Sequence, residues 1–352
     1  MINLTDYGWN EYFEKEWDII KSKGLFPGRI TADFGQSLKV ICDQGEYMSQ
    51  KHIKSEHDLS QVAVGDWVAL EEAKGLDYLL IKKVLKRKTK FSRAASGTKV
   101  KEQIVAANID YVFLIQSMNR DFNLRRLERY LICGWESGAV PVVVLTKADG
   151  CEAPEEFVKK VEAAAPGVEI YAVSSIEGSG LESLYKYIIQ GKTVALLGSS
   201  GVGKSTLLNA LAGSQIMKTG EIRENDERGR HVSTHRELFL IDKGGLFLDT
   251  PGMRSLSIWE AEDGISEVFG DIEDLAKNCR FYDCTHGNEP GCEIRKALEV
   301  GSLSIVRWDS WLKLQKELLF IEGKKDVKVK REIENKWKKI YKEARLRDKN
   351  KR

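Results

Sequence analysis

The chain has 352 residues, 42% of them hydrophobic and 31% charged, with a formal net charge of +2. That length carries two or three ordinary cores, and the composition is that of a soluble globular protein. No apolar run reaches the ~18 residues that span a bilayer. The opening segment lacks the basic and apolar regions of a signal peptide, and six cysteines in a chain expected to be cytoplasmic argue against a disulfide framework.

Residues 5–22 fit an amphipathic helix with Tyr7, Phe13, Trp17 and Ile20 on one side. From Gly28 to about Phe91 short alternating segments follow one another, punctuated by glycines and acidic residues. This is the pattern of a small β-barrel. Basic residues crowd its end, from Lys82 to Arg93, and Trp67 and Tyr78 sit in apolar strand contexts that predict packing over base stacking. From about Asn108 strands alternate with helices: YVFLIQS, LRRLERYLICGWESG, VPVVVLTKAD, PEEFVKKVEAAA, VEIYAVSS, GLESLYKYI and TVALLG. That alternation predicts a mostly parallel sheet covered on both faces, with ligands at the carboxyl ends of its strands. After about Ile265 a Cys/His cluster precedes a long helical stretch from Leu303. The last residues, Glu322 to Arg352, hold fourteen Lys and Arg against six Asp and Glu, a net +8 that suits nucleic acid.

The fourth strand runs into Gly198-Ser199-Ser200-Gly201-Val202-Gly203-Lys204-Ser205-Thr206, which fits the phosphate-loop pattern G-x-x-x-x-G-K-[ST]. Its glycines let backbone N–H groups point at phosphate oxygens, and the following helix adds its positive end. Lys204 is expected on the β and γ phosphates and the Ser205 hydroxyl on Mg²⁺. Thr146-Lys147-Ala148-Asp149, at the end of a buried strand, matches the [NT]-K-x-D signature that reads guanine. A carboxylate there accepts two hydrogen bonds from guanine N1–H and its exocyclic amine, a pair that adenine does not offer. Ser174-Ser175, after the next strand, stands where such proteins place a short loop against guanine O6. Asp249-Thr250-Pro251-Gly252 fits D-x-x-G, which holds Mg²⁺ through a water, and the polar run Gly229 to His235 between the phosphate motifs reads as a mobile switch. All five GTPase elements are thus present in rotated order, as a circular permutation would leave them.

The metal reading is independent. Cys279, Cys284, His286 and Cys292 give C-x₄-C-x-H-x₅-C, four ligands suited to one tetrahedral, structural Zn²⁺. The other cysteines, Cys42, Cys133 and Cys151, are scattered and read as free thiols.

These motifs together resemble the ribosome small subunit-dependent GTPase A family of circularly permuted GTPases. The resemblance spans nearly the whole chain. It implies an N-terminal OB-fold barrel, a central α/β P-loop GTPase domain and a C-terminal zinc-binding module with long helices. We divide the chain accordingly: an extension over 1–24, the barrel over 25–100, the permuted GTPase domain over 101–262, the zinc module over 263–320 and a basic helical tail over 321–352. The resemblance implies GTP hydrolysis stimulated by the 30S subunit late in its assembly, with 16S rRNA as a partner; the sequence itself shows no sign of a membrane segment or of obligate oligomerisation, and a monomer is expected. The family's switch carries a run of threonines where this chain has Val232-Ser233-Thr234, so Thr234 is expected in the Mg²⁺-sensing role, with Ser233 as the lesser candidate. Small GTPases often orient water with a glutamine after D-x-x-G, and here Met253 occupies that position. Either another residue supplies the function or intrinsic turnover is slow; His231, in the switch, is the expected substitute, with Arg230 and Arg254 as lesser candidates for charge stabilisation. Two other readings use the same residues, an ATP-dependent RNA-binding enzyme and a nucleotide-dependent RNA-binding scaffold with little turnover. The first has no use for Asp149, and the second predicts no multiple turnover.

Overall fold

The computed structural model describes residues 1–50, 62–72, 75, 78–94, 102–217, 236–249, 262–287 and 289–325. Contacts divide the chain into two compact units, one of residues 1–93 and 103–257, the other of residues 94–102 and 258–352.

The first unit opens with a short 3₁₀ turn, Leu4–Tyr7, and helix α1, Glu11–Ile20. The single helix expected over residues 5–22 is broken because Gly8 takes a left-handed conformation and Asn10 caps a fresh start, its Oδ1 accepting from the Tyr12 amide. Both pieces lay their apolar side on one cluster: Tyr7, Trp9, Trp17 and Ile20 pack around buried Phe13, Trp67 and Leu85. Trp67 is fully buried, as its strand context predicts.

Five strands form the barrel: β1 (Leu25–Asp33), β2 (Ser37–Cys42), β3 (Gly45–Gln50), β4 (Trp67–Glu72) and β5 (Tyr78–Val84). Their order β1-β2-β3-β5-β4 closes on itself through β1–β4 pairing, from Leu25↔Glu71 to Arg29↔Trp67. Closure removes the exposed sheet edges. The basic run at the barrel's end is partly structural. Arg87 makes a two-pronged contact with Asp66, at 2.6 and 2.7 Å, and Lys82 pairs with Glu71.

Two short strands, β6 (Lys90–Ala94) and β7 (Glu102–Ala107), pair with each other and lead into the α/β layer. That layer runs β8 (Tyr111–Ser117), α2 (Leu124–Glu136), β9 (Val140–Thr146), α3 (Pro154–Ala164), β10 (Glu169–Ala172), β11 (Thr193–Gly198), α4 (Lys204–Ala212), β12 (Arg236–Leu240) and β13 (Leu246–Asp249). The stretch GLESLYKYI forms a 3₁₀ helix over Leu181–Tyr187 in place of the expected α-helix. The spatial order is β10-β9-β8-β11-β13-β12. The first five are parallel, and β12 joins β13 antiparallel. β8, β9 and β11 are buried almost throughout, as near-continuous apolar runs in a two-sided parallel sheet must be. Phe113, Val144, Leu196, Leu207, Leu208 and Phe247 meet in one core beneath α4.

Arg29 fastens the barrel to this layer. It is 1% exposed, and burial pulls its guanidinium down to about 10, against the opposing pull of Asp110 and Asp66. It donates to the carbonyls of Tyr7, Gly65 and Asn108 and to the Thr193 hydroxyl, and it lies over the Trp67 ring. The four acceptors replace the water that burial removes.

The second unit contains α5 (Glu262–Lys277), α6 (Glu293–Val300) and α7 (Ile305–Lys325). Arg307 ties α7 to α5 through both oxygens of Asp271, at 2.8 Å each, and through the Val268 carbonyl.

Truncating Arg29 leaves its buried acceptors unpaired. We expect Arg29→Ala to destabilise the protein by about 3 kcal/mol or more, read as a lowered urea midpoint. Lys159→Ala, at an exposed position of α3, should move it by less than about 0.5 kcal/mol.

Candidate functional site

The parallel strands bring their carboxyl ends to one edge of the sheet, and the nucleotide motifs stand there. β11 ends at Gly198, β9 at Thr146 and β13 at Asp249, and β10 is followed by Ser174. The phosphate loop has the conformation that its glycines permit. Gly203 has φ +95°, and a side chain at Gly198 would meet the Ile115 carbonyl at 2.7 Å, so neither position tolerates a Cβ without movement. Lys204 opens α4 and donates back to the carbonyls of Gly198 and Ser199. Its ammonium is thus already over the loop.

The base-reading segment is stapled to this loop. The Thr146 hydroxyl lies 2.5 Å from the Val202 carbonyl and 3.3 Å from that of Gln116, and Thr146 is 1% exposed. Lys147 takes a left-handed backbone, φ +62°, and its Nζ donates to the Gly201 carbonyl at 2.8 Å. Its stem is therefore drawn across the loop. Asp149 is exposed and aimed by Ser174, which is fully buried and donates through Oγ to Asp149 Oδ1 at 2.6 Å. The Ser174 hydroxyl also accepts from the Glu177 amide, which fixes its rotamer. Ser175 is half-buried in the same turn. Sequence reasoning gave Ser174 a place beside the base but not this positioning of Asp149; only the fold brings residues 25 apart into contact.

A third segment joins them that sequence reasoning passed over. In the β8–α2 connection, Asp121 accepts from the Ser199 hydroxyl at 2.8 Å and pairs with Arg126 at 2.8 Å. Burial works against the Asp121 carboxylate, yet the Ser199 and Arg126 hydrogen bonds hold it below the usual carboxylate range. No motif marks this residue.

Of the other expected residues, Val202 is buried, Ser200, Gly201 and Thr206 are exposed, and Ser205 is half-buried in the first turn of α4. Asp249 closes β13 opposite Glu237. His231, Thr234, Gly252, Arg230, Arg254 and Met253 lie outside the described residues, as does the basic tail beyond residue 325.

The second unit brings Cys279, Cys284, His286 and Cys292 together, their ligand atoms all within 4.8 Å of one another. Cys279 Sγ is 3.9 Å from Cys292 Sγ and 3.6 Å from His286 Nδ1, and Cys292 Sγ is 3.7 Å from His286 Nδ1. A tetrahedron of ~2.3 Å zinc–sulfur bonds has edges of about 3.8 Å, so the spacing fits. Burial pushes the Cys284 thiol up to about 12 and raises Cys292 as well. Neighbouring thiols that resist ionising together need a cation to do so. Cys292 also caps α6, its Sγ accepting from the Arg295 amide, and the His286 ring meets Trp308 edge-on at 5.7 Å.

A strand–loop–helix phosphate site, with the base-reading loop supplied from earlier in the chain, defines a circularly permuted P-loop GTPase. A family model described as RsgA GTPase matches residues 84–259. The chain is 41% identical to small ribosomal subunit biogenesis GTPase RsgA 1 of Listeria innocua, over 97% of each chain. It is 43% identical to small ribosomal subunit biogenesis GTPase RsgA of Streptomyces avermitilis, covering 95% of this chain and 91% of that one. YjeQ from Thermotoga maritima superposes with a TM-score of 0.61 at 26% identity, over 84% of this chain and 99% of that one. YloQ, described as a circularly permuted GTPase, shares the fold at 24% identity with a TM-score of 0.57, over 86% and 96%. The chain belongs to the RsgA GTPase family, and it is a GTP hydrolase.

Thr146→Val keeps the shape and removes the hydroxyl that holds the Val202 carbonyl. We expect a stability loss of about 1–2 kcal/mol, measured by urea denaturation of the nucleotide-free protein.

Proposed function

We propose that this GTPase acts on the small (30S) ribosomal subunit during late assembly, binding 16S rRNA and hydrolysing GTP there as a cytoplasmic monomer. The observation that carries the reading is the pair of contacts from Thr146 and Lys147 to the phosphate loop, which put a guanine-reading carboxylate on the same strand edge as the triphosphate cradle. The names of the relatives supply the subunit. Our domain division supports it: barrel, permuted GTPase domain, zinc module and a basic tail, with two elements suited to RNA. No helix among the described residues is long and apolar enough to cross a membrane.

In this reading Asp149, held by Ser174, accepts guanine N1–H and the exocyclic amine, and the Ser174-Ser175 turn faces O6. The amides of residues 198–206 surround the phosphates, and Lys204 reaches the β and γ oxygens. Ser205, Thr234 and, through a water, Asp249 would hold Mg²⁺, which when bound would supply positive charge for the phosphate oxygens. His231 orients the attacking water, and Gly252 senses the γ-phosphate. Because His231 and Thr234 belong to one switch, a surface that orders the switch completes the site, a form of conformational activation. Cys279, Cys284, His286 and Cys292 would hold one structural zinc ion, which when bound would tie the loop between α5 and α6 to its helices.

The test is multiple-turnover phosphate release from GTP with and without purified 30S subunits. We expect strong stimulation by the subunit, and its absence refutes the ribosomal part of the reading. Asp149→Asn should lose GTP binding and gain xanthosine triphosphate binding, by at least about a hundredfold in preference. Elemental analysis should find one zinc per chain. Cys284→Ser should lose it and shorten the resistance of residues 278–300 to proteolysis, leaving GTP binding in the first unit intact.

A further inference from the structure

The β8–α2 connection carries a charged device that neither the motifs nor the chemistry above uses. Asp121 touches the phosphate loop at Ser199, its second residue, at 2.8 Å. Arg126 of α2 holds Asp121 from the other side and also donates to Gln116 Oε1 at 3.2 Å. Gln116 is fully buried, and its carbonyl lies 3.3 Å from the Thr146 hydroxyl, which reaches Val202. A closed path therefore runs from the base-reading strand through Gln116, Arg126 and Asp121 into the first turn of the phosphate loop, and back through Val202 to Thr146.

We propose that Asp121 is a positioning residue for GTP: through the Ser199 hydroxyl it sets the first turn of the phosphate loop and, through the Ser199 carbonyl, the place of Lys204. This rests on the assignment of the nucleotide site above. The Ser199 carbonyl, with that of Gly198, accepts from the Lys204 ammonium, so freeing Ser199 loosens an acceptor that aims it. A bare carboxylate beside a triphosphate would repel it. Here Arg126 pairs with the carboxylate and Lys147 adds a favourable field, so Asp121 anchors the loop without presenting net negative charge to the ligand. The hydrogen bond is charge-assisted, stronger than a hydroxyl–carbonyl contact. Asp121 is about half exposed, and solvent screening reduces the effect accordingly.

The experiment measures the affinity and dissociation rate of a fluorescent GDP analogue in the full chain for Asp121→Ala, Ser199→Ala and the double variant, beside the unaltered protein. Each single variant should weaken binding about fivefold, mostly through faster dissociation. The double variant should be no weaker than either single one, because both remove the same contact. Asp121→Glu should recover part of the loss, which a packing defect would not. Unchanged affinity in either single variant, or losses that multiply in the double, overturns the proposal. Should Asp121→Ala fail to fold, Ser199→Ala decides alone, since it removes one hydroxyl from a half-buried position. Failure of the unaltered protein to bind the GDP analogue would instead refute the nucleotide-site assignment, so the two are told apart in one assay.

Discussion

Four acceptors converge on one buried guanidinium, and the architecture of the first unit follows from that convergence. Arg29 belongs to the barrel, but its donors go to the N-terminal segment at Tyr7, to the barrel at Gly65, to the connection at Asn108 and to the first residue of β11 at Thr193. Among the described residues no carboxylate is in hydrogen-bond contact with it; Asp110 and Asp66 act at longer range. A charge this deeply buried is tolerated only where its hydrogen bonds are nearly all made, so every partner must be in place at once. Thr193 is itself held at both ends, its amide donating to Asp110 Oδ2 and its carbonyl accepting from the Asp110 amide. The start of the strand that ends in the phosphate loop is thereby fixed with respect to the barrel.

The permuted order gains its meaning at the other end of that strand. In a chain where the base-reading loop comes first, nothing covalent keeps it near a phosphate loop some fifty residues later. The contacts that do so are short and specific: one hydroxyl and one ammonium, both to loop carbonyls. Backbone carbonyls are suitable anchors because they leave the loop's N–H groups free for phosphate. Lys147 makes its contact from a left-handed backbone, an uncommon state for a residue with a side chain and one found at functional sites.

Much of this is legible in the residues. Near-continuous apolar runs such as VPVVVLT can only be strands covered on both faces, and the glycine spacing of residues 198–203 has few structural uses other than phosphate binding. The four zinc-type ligands are equally readable, since fourteen residues of chain limit how far apart they lie. What escapes is whatever depends on tertiary approach. Asp121 stands in a polar connection, NRDFN, with nothing to distinguish it from a solvated acid, and its role appears only when β8 and β11 lie side by side. Arg29 reads as one basic residue in an alternating strand. Gly8 breaks an otherwise sound amphipathic pattern, and a lone glycine is a weak sign against a helix whose apolar side packs equally well in two pieces. The stretch GLESLYKYI has helical periodicity, and it packs Leu184 and Tyr187 into the sheet's core as a 3₁₀ helix, a winding that periodicity does not distinguish from α.

The sheet itself carries the last step. It does not stop where the α/β layer stops: β12 pairs antiparallel with β1 of the barrel at Ala32↔Glu237 and Asp33↔Arg236, and Arg236 makes an ion pair with Asp33 at 3.8 Å. Among the described residues eleven strands thus form one hydrogen-bonded sheet from β10 to the barrel's far side. Arg236 is the first described residue after the expected switch, and burial lowers its guanidinium while Asp33 supports the charge. The barrel therefore grips the nucleotide-binding layer twice, at the first residue of β11 through Arg29 and at the first residue of β12 through Asp33. One grip precedes the phosphate loop and the other follows the switch. The barrel and the phosphate-binding strands share these bonds and cannot move as independent bodies without breaking them. In this permuted chain the barrel is accordingly part of the frame that holds the GTP site.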